Sequence, residues 1–128
     1  MARDARPLIL AIDDDPITLN LAVAILKNYY RLRPFTVPEM AFKYLSRSDA
    51  EVHLALLDYH MPLMSGPEVF KCLRSYSLMS GVPVIFMTGL TDKAAEEELL
   101  ASGATGIIHK PPTAVDLLGK IKDILGQY

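Results

Sequence analysis

The sequence predicts an α/β fold, a doubly wound parallel sheet of five strands with helices on both faces. Three observations lead there. Five short apolar runs alternate with five stretches whose apolar residues recur at helical spacing, and such alternation builds βαβ units joined by right-handed crossovers. The runs at 8–12 and 54–57 contain no polar residue, as expected of strands buried on both faces. The 128 residues show no repeats, linkers or low-complexity tracts, and that length suits one domain. The domain is expected to span 1–128, with its core over about 7–126.

The first strand, 8–12, runs into Asp13-Asp14-Asp15-Pro16. Proline suits the first turn of a helix and Asp15 suits its cap. Leu19, Ala22, Leu26 and Tyr29 then mark an inner stripe. Residues 33–37 form a weaker strand, interrupted by Pro34, and Pro38 opens a second helix through Ala41, Phe42 and Leu45 that closes over 46–49. The third strand, 54–57, ends on a lone carboxylate, Asp58, before Met61-Pro62 and Ser65-Gly66-Pro67 turn the chain. A third helix over 66–76 points Val69, Phe70 and Leu73 inward, with Cys72 read as a small buried hydrophobe. Ser80-Gly81 breaks it, and 82–87 is a strand ending at Thr88-Gly89. Asp92 is expected to cap a fourth helix in which Glu96-Glu97-Glu98 make a solvated face and which Gly103 ends. A last strand, 105–109, delivers Lys110-Pro111-Pro112. Thr113 caps the final helix, with Val115, Leu118, Ile121 and Leu125 inward.

Composition narrows the function. Half the residues are apolar and 22% are charged, so the chain folds rather than staying disordered. A formal net charge of −2 makes no electrostatic case for nucleic acid or an anionic membrane, and neither is expected as a direct partner. The single cysteine excludes an internal disulfide and fits a reducing cytoplasm. The start, Met1-Ala2-Arg3-Asp4-Ala5-Arg6-Pro7, is charged, unlike a signal peptide. No apolar run approaches the roughly 20 residues of a membrane span. A soluble, cytoplasmic domain is the expectation.

In a parallel sheet of this kind the strand carboxyl ends share one edge, where ligands bind. Four of the five strands end in residues with chemistry: Asp13-Asp14, Asp58, Thr88-Gly89 and Lys110. Carboxylates gathered there repel unless a cation sits among them. An all-oxygen site with few protein ligands suits Mg²⁺, which keeps waters and shares its shell with phosphate. Lys110 supplies a point charge for a phosphoryl oxygen, Thr88 a hydroxyl donor, and Gly89 leaves room for an incoming group. These parts fit phosphoryl transfer onto a carboxylate, in which the protein positions groups and neutralises charge. Asp58 stands alone at the middle of the site and is the favoured nucleophile. Adjacent side chains on a strand point to opposite faces, which favours Asp14 as a direct metal ligand and Asp13 as one acting through water.

The motifs together resemble the response-regulator receiver domain of bacterial two-component phosphorelays, over essentially the whole chain. The resemblance is carried by Ile12-Asp13-Asp14-Asp15-Pro16, Leu57-Asp58-Tyr59-His60-Met61-Pro62 with Gly66, Met87-Thr88-Gly89, and Lys110-Pro111. It implies a flavodoxin-like sheet in the order 2-1-3-4-5. It implies that Asp58 accepts phosphate from a histidine kinase or a histidine phosphotransfer protein. Asp13, Asp14 and Asp58, with the backbone carbonyl of His60, are then the Mg²⁺ ligands, and Thr88 and Lys110 contact the phosphoryl group. It further implies a cis Lys110–Pro111 bond and an output surface, for a downstream domain or protein, on the last two helices and last strand. One position departs. Receivers commonly carry an aromatic switch residue three places before the lysine, and here that place holds Ile107. Output is therefore expected to travel through Thr88 and the loop after it. Pro112, following Pro111, is expected to stiffen the entry to the last helix.

Two other functions compete. Asp13-x-Asp15 after an apolar strand resembles the nucleophile motif of haloacid-dehalogenase phosphohydrolases, a reading that leaves Asp58 and Lys110 without roles. The alternative is a receiver-like interaction module that takes no phosphate. The leading reading is a switch that assists its own phosphorylation and dephosphorylation, not an enzyme turning over an external metabolite. The remaining polar residues take plainer roles: Asp15 as a helix cap, His53 and His109 as strand-flanking residues, and His60 contributing backbone rather than imidazole, since Mg²⁺ prefers oxygen.

Overall fold

The computed structural model describes residues 4–47, 49, 51–89 and 93–126. The elements are β1 (Leu8–Ile12), α1 (Pro16–Leu26), β2 (Arg31–Phe35), α2 (Pro38–Arg47), β3 (Leu54–Asp58), α3 (Gly66–Leu73), a 3₁₀ turn (Ser77–Met79), β4 (Val84–Thr88), α4 (Lys93–Ala101), β5 (Gly106–His109) and α5 (Ala114–Leu125). All strand pairs are parallel, in the order β2-β1-β3-β4-β5. Among the described residues no helix is long and apolar enough to cross a membrane. The expected cap Asp92 lies outside the described residues, as do 48 and 50 near the end of α2.

Strand alternation explains the two-sided winding. In β1, β3 and β4 every residue is buried, and successive side chains enter opposite layers. Leu8, Leu10, Ile12, Ala55, Leu57, Val84 and Phe86 pack with residues of α2, α3 and α4. Ile9, Ala11, Leu54, Leu56, Ile85 and Met87 pack with residues of α1 and α5. A continuous apolar run is thus two half-cores, one per face.

Several boundaries move from where the sequence places them. The second strand starts at Arg31, not 33. It lies at the sheet edge, where proline is tolerated, and its register with β1, from Leu8↔Arg31 to Ile12↔Phe35, carries Pro34 inside it. The fourth and fifth strands begin at Val84 and Gly106. α1 ends at Leu26; Tyr29 is 55% exposed and the buried aromatic is Tyr30. α3 stops at Leu73, and the 3₁₀ turn follows. Cys72 is exposed, because Val69, Phe70 and Leu73 occupy the inner stripe and leave position 72 on the outer face. In α5 the buried residues are Leu117 and Ile121, while Val115, in the first turn, is 84% exposed. His53 does flank its strand, and its Nδ1 accepts from the Leu8 N–H at 3.0 Å.

α3 begins hard against the end of β3. The Gly66 N–H donates to the Tyr59 carbonyl at 2.9 Å, and Ser65 with Glu68 forms a reciprocal capping box. A Cβ on Gly66 would sit 2.5 Å from the Asp58 carbonyl oxygen and 2.9 Å from both the Tyr59 Cα and a Phe86 ring carbon. Backbone cannot yield as a flexible side chain can, so this glycine sets how closely α3 approaches the end of β3. Gly66→Ala is expected to destabilise the fold by about 1–3 kcal/mol, as overpacking does. A urea midpoint equal to that of the wild type would refute this.

Candidate functional site

The ladder hydrogen bonds continue one residue beyond β1, β3 and β5. The Asp13 N–H donates to the Phe35 carbonyl at 3.1 Å, and the Lys110 N–H to the Thr88 carbonyl at 2.9 Å. Asp13, Asp58 and Lys110 therefore keep the side-chain alternation of Ala11, Leu56 and Ile108, all on the α1/α5 face. They meet there. Lys110 Nζ lies 2.7 Å from Asp58 Oδ1 and 3.3 Å from Asp13 Oδ2. One oxygen from each of Asp13, Asp14 and Asp58 falls within 4.8 Å of the others. Asp58 Oδ1 also accepts from the His60 N–H at 3.3 Å. Thr88, buried at the end of β4, lies beside His109 in register.

Burial sets the electrostatics. Asp13 and Asp58 are 0% and 2% exposed, whereas Asp14 is exposed. Loss of water pushes the Asp58 carboxyl above its ordinary value; the Lys110 ammonium pulls it back and the Asp13 charge pushes it further up. Asp14 is also raised, by partial desolvation and then by Asp58 beside it. For Lys110 burial favours the neutral amine, but Asp58 and Asp13 together outweigh it and the net shift is upward. Asp15 is lowered by its bonds from Thr18 and the Ile17 N–H, at 2.8 and 3.0 Å. Its carboxylate caps α1 and stays outside the cluster.

Among the described residues three carboxylates face a single ammonium, and the buried Asp13 Oδ2 meets it at 3.3 Å without a well-formed hydrogen bond. Asp13 Oδ1, by contrast, accepts from the Asp15 N–H at 3.0 Å. An oxygen-only donor set with surplus negative charge, including a buried oxygen that only shares an ammonium with Asp58, fits a hard divalent cation such as Mg²⁺.

The structure brings together Asp13, Asp14, Asp58 and Lys110 as the sequence predicts, and the Lys110–Pro111 bond is cis. A Cβ on Gly89 would meet nothing within 4 Å, so there is open space beside Thr88. One contact was not foreseen. Glu96 is not simply part of a solvated face, since its Oε1 bonds His109 Nε2. Thirteen residues separate them, and only the packing of α4 beside β5 joins the two, so no local pattern announced the pair.

Comparison with known proteins agrees with this geometry. Residues 9–122 match the family model described as the response regulator receiver domain. A relative from Vibrio cholerae named "Probable cyclic di-GMP phosphodiesterase" is 32% identical over 103 residues, 80% of this chain and 23% of its own length. The two-component response regulator ORR3 of Oryza sativa is 26% identical over 115 residues, 89% of this chain and 87% of its own. Among solved structures, the Vibrio cholerae chemotaxis protein CheY4 is similar with a TM-score of 0.85 and 25% identity, over 94% of this chain and all of that one. The chain spans less than a quarter of the length of the first three curated relatives it matches, 23%, 17% and 8%. By its matched residues, its sheet order and its acidic cluster, the chain belongs to the response regulator receiver domain family.

Proposed function

We propose that this chain is the phospho-accepting switch of a two-component phosphorelay, with Asp58 as the acceptor. The observation that carries the reading is the position of Lys110 Nζ, 2.7 Å from Asp58 Oδ1 and 3.3 Å from Asp13 Oδ2. An ammonium there neutralises charge building on a phosphoryl group that joins Asp58. An Asp58 oxygen attacks phosphorus, the P–N bond to the donor imidazole breaks, and its electron pair stays on the ring nitrogen. Thr88 supplies a hydroxyl for a phosphoryl oxygen, and the His60 N–H holds Asp58 Oδ1 in place. Asp13, Asp14, Asp58 and the His60 carbonyl would hold Mg²⁺, which when bound supplies charge neutralisation for the transferring group.

The donor is a histidine kinase or a histidine phosphotransfer protein. Ile17, 79% exposed, follows the α1 cap, and Leu63, 89% exposed, follows β3. Apolar groups left in water at that edge suit a protein donor covering the site. Phosphorylation then favours one of two conformations, and near-complete switching needs a bias of about 5.5 kcal/mol. The changed state is read by a partner or an output domain on the face of α4, β5 and α5. The setting is cytoplasmic, and the chain assists its own phosphorylation and dephosphorylation only. The phosphohydrolase alternative needs Asp15 in its motif, but that carboxylate is engaged in capping α1.

Treatment with a small phosphodonor and Mg²⁺ is expected to add one phosphoryl group to the wild type and none to Asp58→Asn. Mass mapping of the phosphate to Asp13 would overturn the assignment. Lys110→Ala is expected to slow the incorporation about 10²-fold, the usual consequence of removing one charge-stabilising donor. Mg²⁺ at a hundredfold excess over its dissociation constant should raise the melting temperature by roughly 10 °C. Because Asp58 and Asp14 are both raised, protons compete with the ion as the solution is acidified. Mg²⁺ affinity should accordingly weaken on acidification, from a higher pH than ordinary carboxylates would set, as titration calorimetry at several pH values would show; a flat profile contradicts it.

A further inference from the structure

We propose that the Glu96–His109 pair couples the Asp58 site to α4, so that the phosphorylation state is read out through the hold of β5 on that helix. The proposal rests on the phospho-acceptor reading above. Glu96 Oε1 and His109 Nε2 are in direct hydrogen-bonding contact, which ties α4 to the last residue of β5. The helix is otherwise lightly anchored. Leu99 is its one buried residue among those described, and Leu100 is 48% exposed. Elements that bury little apolar surface shift and open most readily.

The backbone of His109 is fixed on the site instead. It pairs with Thr88 across the β4–β5 ladder, and the next N–H, that of Lys110, donates to the Thr88 carbonyl at 2.9 Å. His109 thus adjoins both Thr88 and Lys110, the two groups assigned to the phosphoryl. Neighbouring side chains on a strand diverge. The imidazole reaches α4 while the ammonium reaches Asp58. Ile107 cannot serve in its place: it packs partly buried against the α2–α4 core and has no polar atom to offer Thr88 or α4.

Phosphorylation changes what Lys110 faces. Nζ is now held between Asp58 Oδ1 and Asp13 Oδ2, and a phosphoryl group on Asp58 draws the ammonium to its own oxygens. Residues 109 and 110 share a peptide, so the shift reaches the imidazole and alters its bond to Glu96. By linkage, a protein that binds α4 in one of its two positions changes phosphoryl-analogue affinity by the same factor.

The test follows backbone amide resonances of α4, Thr88 and Lys110 in Mg²⁺, with and without beryllofluoride. It uses the wild type, His109→Ala, Glu96→Ala, the double variant and His109→Gln, which keeps a hydrogen-bond donor. In the wild type beryllofluoride is expected to move the α4, Thr88 and Lys110 amides together. In either alanine variant the α4 response should shrink by about half or more, and no further in the double variant, while Thr88 and Lys110 still respond. His109→Gln should restore it. An undiminished α4 response in the alanine variants, or losses that add in the double variant, overturns the coupling. If the wild-type Thr88 and Lys110 amides themselves ignore Mg²⁺ with beryllofluoride, the phospho-acceptor reading fails and the coupling falls with it.

Discussion

Among the described residues three carboxylates share one ammonium at the carboxyl edge of the sheet, and this imbalance governs that end of the molecule. Parallel strands make it possible. Every strand leaves the sheet on the same side, so residues 13, 58, 88 and 110, far apart in sequence, arrive together. Alternation then sorts them: Asp13, Asp58 and Lys110 continue the α1/α5 face and converge. The same strands strip water from Asp13 and Asp58, because the residues leading to them are wholly buried. Charge buried so deeply destabilises a fold unless it is matched, and Lys110 matches only part of it.

The rest of the edge limits how that surplus is arranged. Of the three consecutive aspartates, Asp15 is turned away to cap α1, with Thr18 and the Ile17 N–H as its partners. This keeps a further carboxylate out of the cluster and fixes the direction in which Asp13 and Asp14 are presented. Gly66 lets α3 start close against the Asp58 carbonyl, and in the loop between them the His60 N–H donates to Asp58 Oδ1. On the far side, Thr113 caps α5 and Pro112 is buried, which fixes the exit from Lys110. The acidic cluster therefore sits in a frame defined by two helix starts and one close backbone contact.

Much of this was legible in the sequence, and the reason is that period and punctuation act locally. Unbroken apolar runs announced the central strands, and the residues ending them announced the cluster. The misses share a cause. The sequence places the second strand across Pro34 but two residues too late, because pairing with β1 at the sheet edge, not the local residue pattern, sets its span of Arg31–Phe35. Cys72 and Val115 are apolar residues at helical spacing, yet the orientation of each helix against the sheet decides which stripe faces in, and that is a tertiary property. Tyr29 and Tyr30 are adjacent aromatics, and the end of α1 at Leu26 determined which one is buried. The Glu96–His109 pair lies beyond any local pattern because it depends on where α4 settles.

The surplus charge also explains why such a site can switch at all. In the unphosphorylated chain Lys110 is, among the described residues, the cation paired with Asp58, and it is divided between Asp58 and Asp13. Under the phospho-acceptor reading, a phosphoryl group brings more negative charge into a place already short of cations, so the ammonium cannot stay where it is. Two unit charges about 4 Å apart in surroundings of effective dielectric about 20 interact by about 4 kcal/mol, and an ammonium that exchanges one anionic partner for another gains the difference between two such interactions. Redistribution of a single lysine can thus contribute to the change without an aromatic residue at position 107. What it needs is a mechanical connection from residue 110 to a loosely held element, and the contact from His109 to Glu96 on α4 is of that kind.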